Sequence, residues 1–267
     1  ESGSESEWSG IAKLEIGLLN NSDWKGKWIS IPAEELQEKD ERGSLLFRPQ
    51  YLRKEIEVDA EIISARLYIT AKGVYEAFIN GEKVGTDIMP PGWTPVAKSI
   101  STLTYDVTGL LNKGQNTIGA VVAEGWHAGR INLRETLKTT EHTPRLLYQL
   151  EIETNNGTKT IVSDGSWKVT QNGPIRISKI YDGETYDANY ELGDWSKNDY
   201  NDSIWLDVAE QPVVDSILLL PKRYEGVKDK SLLTVKNIAK TESSKPIFDF
   251  GQNNVGVPLV KVPMKKG

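Results

Sequence analysis

The chain has 267 residues, 38% of them apolar and 26% charged, which is enough to bury a core in one large β domain or two smaller ones. A formal net charge of −6 sets an acidic surface against phosphate backbones and excludes nucleic acid as a partner, while the lack of cysteine excludes disulfides and zinc–thiolate centres. No uninterrupted apolar run approaches the ~20 residues a membrane span requires.

Residues 1–7, ESGSESE, read as a frayed, acidic start, and no signal peptide opens the chain. The polar stretch 20–27 (NNSDWKGK) reads as a joint. Ala33 to Asp40 is too polar and too short to bury a helix face. Residues 66–70 and 75–79 are short β-prone runs, and Asn80-Gly81 after the second is a strong hairpin signal, because both residues tolerate φ > 0. Asp106 to Leu111 predicts one helical turn, with Asp106 capping it and Gly114 beyond its end. A second hairpin is predicted at Asn156-Gly157, joining residues 148–153 to 159–162. Further strands are predicted around 100–105, 116–122, 167–170 and 258–262, and residues 221–246 form a second joint. Many short strands with Gly and Asn turns, and no long helix, predict an all-β, antiparallel β-sandwich.

Two segments combine the groups that sugars require. A sugar ring offers an apolar face, which an exposed aromatic covers, and a hydroxyl rim, which planar polar groups satisfy. Trp126, His127, Arg130, Asn132 and Arg134 supply both kinds of group within nine positions, and Gly125 and Gly129 let the loop bend. The alternative is structural, with Trp126 as a core plug and Arg130 in an ion pair. In Tyr181–Ala188, Asp182, Glu184 and Asp187 invite comparison with the paired carboxyls of glycoside cleavage. On a strand, however, residues 182, 184 and 186 share one face and 187 opposes them. The competing reading is that these carboxylates fix a turn through nearby backbone amides. Trp93, in Pro90-Pro91-Gly92-Trp93-Thr94, suits a rigid site loop and a hairpin-end plug equally. Trp24, Trp28, Trp167, Trp195 and Trp205 lie beside strand or turn signals and are assigned to the core. His127 and His142 have no metal-ligand spacing.

Taken in order, several motifs resemble the N-terminal, non-catalytic region of bacterial α-L-rhamnosidases of glycoside hydrolase family 78. They are Asp23-Trp24-Lys25-Gly26-Lys27-Trp28, Ile79-Asn80-Gly81-Glu82-Lys83-Val84-Gly85, Pro91-Gly92-Trp93-Thr94, Tyr105-Asp106-Val107-Thr108, Gly125-Trp126-His127-Ala128-Gly129, Tyr181-Asp182-Gly183-Glu184-Thr185-Tyr186-Asp187-Ala188 and Phe248-Asp249-Phe250-Gly251-Gln252-Asn253. His127 stands where the family usually has Tyr, and Asn189 where it usually has Arg. Residues 64–122 also resemble the sugar-binding-like sandwich of β-galactosidase-type enzymes.

The resemblance implies a jelly-roll sandwich of galactose-binding or carbohydrate-binding-module type. It divides the chain into the tail of a fibronectin-like domain (1–19), the sandwich (20–222), and a linker with the start of a concanavalin-like sandwich (223–267). It implies an accessory segment of an exported enzyme, in the periplasm, on the cell surface or secreted, that hydrolyses terminal α-L-rhamnosyl groups with inversion. The partners implied are a rhamnose-containing glycan and a catalytic helical barrel downstream, so no catalytic residue falls in this chain. No cofactor is required. Calcium, which serves rhamnose-binding modules of carbohydrate-binding family 67, would draw on loop oxygens such as those of Asp87, Asn132, Asp182 and Asp187. Two other readings remain, an independent adhesin-like binding module and a structural spacer without ligand.

Overall fold

A computed structural model describes Gly10, residues 15–128 and residues 142–261. The chain divides into two compact units, residues 1–227 and 228–267. In the first, the strands run β1 (Trp28–Ser30), β2 (Gln50–Val58), β3 (Ile62–Lys72), β4 (Val74–Ile79), β5 (Glu82–Lys83), β6 (Ser99–Asp106), β7 (Gly114–Ala123), β8 (Arg145–Thr154), β9 (Gly157–Val162), β10 (Lys168–Thr170), β11 (Ile175–Lys179), β12 (Gly183–Tyr186), β13 (Leu206–Asp207), β14 (Ala209–Gln211) and β15 (Leu218–Pro221). The one α-helix among the described residues, α1, is the single turn Gly125–Ala128. One sheet has the order β14-β1-β8-β3-β6-β15, with β9 also on β8, and the other has the order β13-β10-β2-β7-β4-β5. The all-β sandwich read from the sequence is the architecture observed.

Period-two patterning explains the two layers. Ala65, Leu67, Ile69 and Ala71 of β3 and Leu146, Tyr148, Leu150 and Ile152 of β8 point inward. They meet Leu52, Ile56 and Val58 of β2, Tyr75, Ala77 and Ile79 of β4, and Ile118, Ala120 and Val122 of β7. The alternate residues of the seven-stranded sheet form an outer cluster, in which Trp24, Trp28, Tyr68, Ile100, Leu147 and Leu219 are buried.

The outer face of the six-stranded sheet is sealed by residues 195–205. Arg53 of β2 is only 1% exposed. Its Nε donates to the Trp195 carbonyl at 2.9 Å, one terminal nitrogen pairs with Asp202, and the other reaches Glu55 at 2.6 Å and the Lys197 carbonyl at 3.2 Å. Trp195 packs edge-on against Tyr51 and Phe78, each at 5.5 Å between ring centroids. Of the tryptophans assigned to the core, Trp24, Trp28, Trp167 and Trp205 are buried and Trp195 is half-buried.

Several local expectations hold, and three shift. Asn80 and Gly81 take φ of 52° and 86° between β4 and β5, as the hairpin signal requires. The Asp106 carboxylate accepts from the Thr108 amide at 3.1 Å at the head of a 3-10 turn, Thr108–Leu110. The second hairpin turns one residue earlier than predicted, at Asn155-Asn156. Gly157 then opens β9 at φ 115°, paired with Thr154. One pair departs from antiparallel order, since β15 lies parallel to β6, Leu218 facing Ser99. Residues 258–261 form no strand; a strand needs a neighbour's hydrogen bonds, and none is supplied there among the described residues. The second unit instead holds an antiparallel hairpin of β16 (Asn237–Lys240) and β17 (Pro246–Asp249), in register Ile238 to Phe248.

Candidate functional site

Register places the site segments at one end of the sandwich. Gln50 pairs with Val122, Val74 with Ala123, Lys72 with Arg145 and Thr170 with Tyr51. The connections around 31–49, 124–128, 142–144 and 171–187 therefore leave from the same end. Residues 86–98 join them, because the Pro90 carbonyl accepts from the Tyr75 amide at 3.0 Å. The turns at Asn80-Gly81 and Asn155-Asn156 lie at the opposite end.

At this end α1 follows directly on β7. Gly125 takes φ of 52°, and a Cβ there would lie 2.7 Å from Val74 Cγ1. A Cβ on Gly73 would lie 2.2 Å from the Ala123 carbonyl oxygen. Only paired glycines let the β3–β4 turn and the start of α1 approach this closely. The approach presents Trp126, half-buried, whose ring lies 11° from parallel to Trp93 with centroids 6.4 Å apart. Trp93 is 61% exposed, so it is not a core plug.

Two groups flanking this helical turn have displaced acidities. Burial pushes the Glu124 carboxyl up to about 7, against the pull of Lys179 and of the Phe47 amide. Burial pulls His127 down to about 3, helped by the charges of Lys72, His142 and Arg145. Both His127 nitrogens are buried without a hydrogen-bond partner, and its ring lies 5.6 Å from that of His142. A carboxyl near 7 has the acidity of a glycosidic acid, but Glu124 is 2% exposed, which closes it to substrate.

The other predicted carboxylates lie on and beside the hairpin of β11 and β12. Asp182 sits in its turn and Glu184 on β12, both exposed. Asp187 caps a 3-10 turn, Ala188–Tyr190, accepting from the Asn189 amide at 3.0 Å and from Asn189 Nδ2 at 2.8 Å. That is the turn-fixing role weighed in the sequence, and it uses the residue that stands in place of the family's arginine. Asp182 influences the acidity of Glu124, so the hairpin turn and the base of α1 are electrostatic neighbours. Arg130, Asn132 and Arg134 lie outside the described residues. Sequence reasoning missed Glu124, Lys72 and Arg145. Charged residues at strand ends look like solvated edges in one dimension, and no local signal marks them as buried.

Of the loop residues suggested for calcium, Asn132 lies outside the described residues and Asp182 is exposed in the hairpin turn. Asp87 is held by Lys222 at 3.1 Å and accepts from the Tyr105 hydroxyl at 3.2 Å, while Asp187 is occupied as a cap. Among the described residues no group of three or more His, Asp or Glu side chains is arranged to hold a metal ion.

Comparison with known proteins places this architecture. Residues 60–230 match the model of the α-L-rhamnosidase N-terminal domain. An α-L-rhamnosidase of Formosa agariphila is 51% identical over 263 residues, covering 98% of this chain and 28% of that protein. The crystal structure of an α-L-rhamnosidase from Aspergillus terreus superposes with a TM-score of 0.81 at 37% identity, covering 92% of this chain and 28% of the other. That of the Streptomyces avermitilis enzyme complexed with L-rhamnose gives 0.72 at 33% identity, covering 78% of this chain and 20% of the other. The chain thus spans under a third of the length of these relatives. With its sandwich, its motif order and these matches in agreement, the chain belongs to the α-L-rhamnosidase N-terminal domain family.

Proposed function

We propose that the chain is an accessory segment of an exported α-L-rhamnosidase, and that its loop-bearing end holds rhamnose-containing glycan for a catalytic helical barrel elsewhere in the same polypeptide. The parent enzyme would hydrolyse terminal α-L-rhamnosyl groups of glycans or glycosides. The observation that carries the binding role is the near-parallel Trp93–Trp126 pair, with Trp93 61% exposed at the loop end. A large aromatic surface held on a loop, beside a glycine-enabled turn, covers the apolar face of a sugar ring. Glu184, exposed on β12, would accept from a hydroxyl rim, whereas Asp187 is spent on its own turn. No step is assigned to calcium.

A single sugar unit buries little surface, so affinity should lie at roughly 0.1 to several mM, equivalent to about 3–5.5 kcal/mol. Titrating L-rhamnose and a rhamnose-terminated oligosaccharide, with and without calcium, should shift the indole N–H signals of Trp93 and Trp126, and Trp93→Ala should remove the response. Unmoved indole signals at tens of millimolar sugar in both conditions would leave a structural spacer as the function.

A further inference from the structure

The loop that carries Trp93 covers residues 86–98, between β5 and β6. Its Pro90 carbonyl ties it to the Tyr75 amide of β4 at 3.0 Å. Its two flanks are tied to one other segment. On one flank the Ile88 amide donates to the Val227 carbonyl at 2.8 Å, and on the other the Leu218 amide donates to the Lys98 carbonyl at 2.9 Å. Between these points β15 runs beside β6, and the Lys222 amide donates to the Thr102 carbonyl at 2.9 Å. Residues 218–227 therefore brace both ends of the loop, and they are the last residues of the first unit.

Side chains lock the same contact. The Lys222 ammonium lies 3.1 Å from an Asp87 carboxylate oxygen, and the two side chains are only 11% and 12% exposed. A pair so enclosed is weakly screened, and removing either partner leaves the other charge uncompensated. The Tyr105 hydroxyl donates to the same carboxylate at 3.2 Å, which fixes Asp87 against β6. Gly226 lies directly on the pair, since a Cβ there would stand 2.0 Å from Asp87 Oδ1 and 2.6 Å from Lys222 Nζ. Lys222 Nζ also stands 5.4 Å from the centre of the Tyr224 ring. The Tyr224 hydroxyl in turn reaches Gly92, where a Cβ would lie 2.9 Å from its oxygen. Gly92 immediately precedes Trp93. A segment merely passing over the surface needs neither an enclosed ion pair nor two glycine contacts.

We propose that residues 218–227 form a strap that positions Trp93, so that the seating of the chain as it leaves the first unit sets the geometry of the Trp93–Trp126 pair. Asp87, Lys222 and Tyr224 are its positioning residues. Seated, the strap holds Asp87 and Ile88 on one flank of the loop and meets Gly92 beside the indole. Displaced, it frees these contacts while Pro90 stays on β4, and Trp93 leaves its near-parallel stack. The strap's use in holding sugar rests on the glycan-holding role proposed above, whereas its mechanics do not.

The test uses the 267-residue chain without sugar. It follows the indole N–H signals of Trp93 and Trp167 and the hydrogen exchange of the Ile88 amide. Lys222→Met keeps the stem beside Tyr224 and removes the charge, and Asp87→Asn keeps the shape of the carboxylate. In each variant the Ile88 amide should exchange at least tenfold faster and the Trp93 indole should shift, while Trp167, fully buried in the core, keeps its signal. Tyr224→Phe, which removes one hydroxyl from an exposed ring, should shift the Trp93 indole without lowering the melting temperature. An unmoved Trp93 indole with unchanged Ile88 exchange in both charge variants would overturn the strap. Should those variants loosen the whole chain, moving Trp167 as far as Trp93, the tyrosine variant decides, and an unmoved Trp93 indole there overturns the strap as well. None of these signals involves sugar, so the strap can fail while the glycan-holding role stands, and the reverse.

Discussion

Arg53 shows how a charge becomes part of a core. Its guanidinium is enclosed, and each nitrogen is answered by a carbonyl or carboxylate from β2 itself or from residues 195–202. Arg53→Ala would leave Asp202 and two carbonyls facing a void, so it should destabilise the chain by about 3 kcal/mol, read as a lower midpoint in urea unfolding. Arg53→Lys should recover only part of this, because an ammonium cannot span the same fork. Glycine sets a second residue-scale limit. At Gly73 φ is 134° and a Cβ would lie 2.2 Å from the Ala123 carbonyl oxygen, so Gly73→Ala should cost more than about 1 kcal/mol and disturb the indole signal of Trp126. The sequence shows that Gly73 lies between two strand runs. It does not show what backbone stands opposite, because that contact joins residues fifty positions apart.

At the scale of elements, α1 is bracketed by two groups with opposite pH preferences. Glu124 has a folded pKa of about 7, above its ordinary 4.5, so burial favours its neutral form; its contribution is intact below pH 4.5 and lost as pH rises towards 7. His127 has a folded pKa of about 3, below its ordinary 6.5, so its neutral form is also favoured; that contribution is intact above pH 6.5 and lost as pH falls towards 3. Each slope is about 1.4 kcal/mol per pH unit, and between pH 4.5 and 6.5 they oppose each other. Measured as variant minus parent in chemical unfolding, Glu124→Gln should remove a decline between pH 4.5 and 7, and His127→Gln an acid-side decline below 6.5. The elements themselves were unevenly legible. β4, β6 and β7 were readable because β-prone residues run up to glycine and asparagine turns. β2 was not, because Arg53 and Glu55 give its sequence a solvated look, although residues 195–205 cover that face. The hairpin of β11 and β12 escaped because its strands are short and it packs in neither main sheet.

For the whole molecule, the fold class was legible because turn spacing and strand patterning survive without knowledge of pairing. Sheet order was not, because it depends on partners far apart in the chain. Of the loop end, the glycine-flanked turn that carries Trp126 was legible. Its stacking partner Trp93 was left undecided between site and plug. The accessory role gives one solution-scale expectation: the purified 267-residue chain should not cleave an aryl α-L-rhamnoside, and turnover abolished by Glu184→Gln would refute that reading. The two units should also differ in protection. Amides of β3 and β8, which pair along ten positions from Ile62–Thr154 to Lys72–Arg145, should exchange orders of magnitude more slowly than those of the two-stranded β16–β17 hairpin. The pairing of β1 with β14 carries a last consequence. Trp28 finds its ladder partner only at Gln211, so one edge of the first sheet is closed by a strand made long after its neighbour. A nascent chain emerging from the ribosome must therefore hold β1 with an unsatisfied edge until nearly all of the first unit has been translated. Folding should be late and abrupt, and ribosome-stalled chains ending before residue 209 should be digested by protease at sites that are resistant once the chain extends past 221.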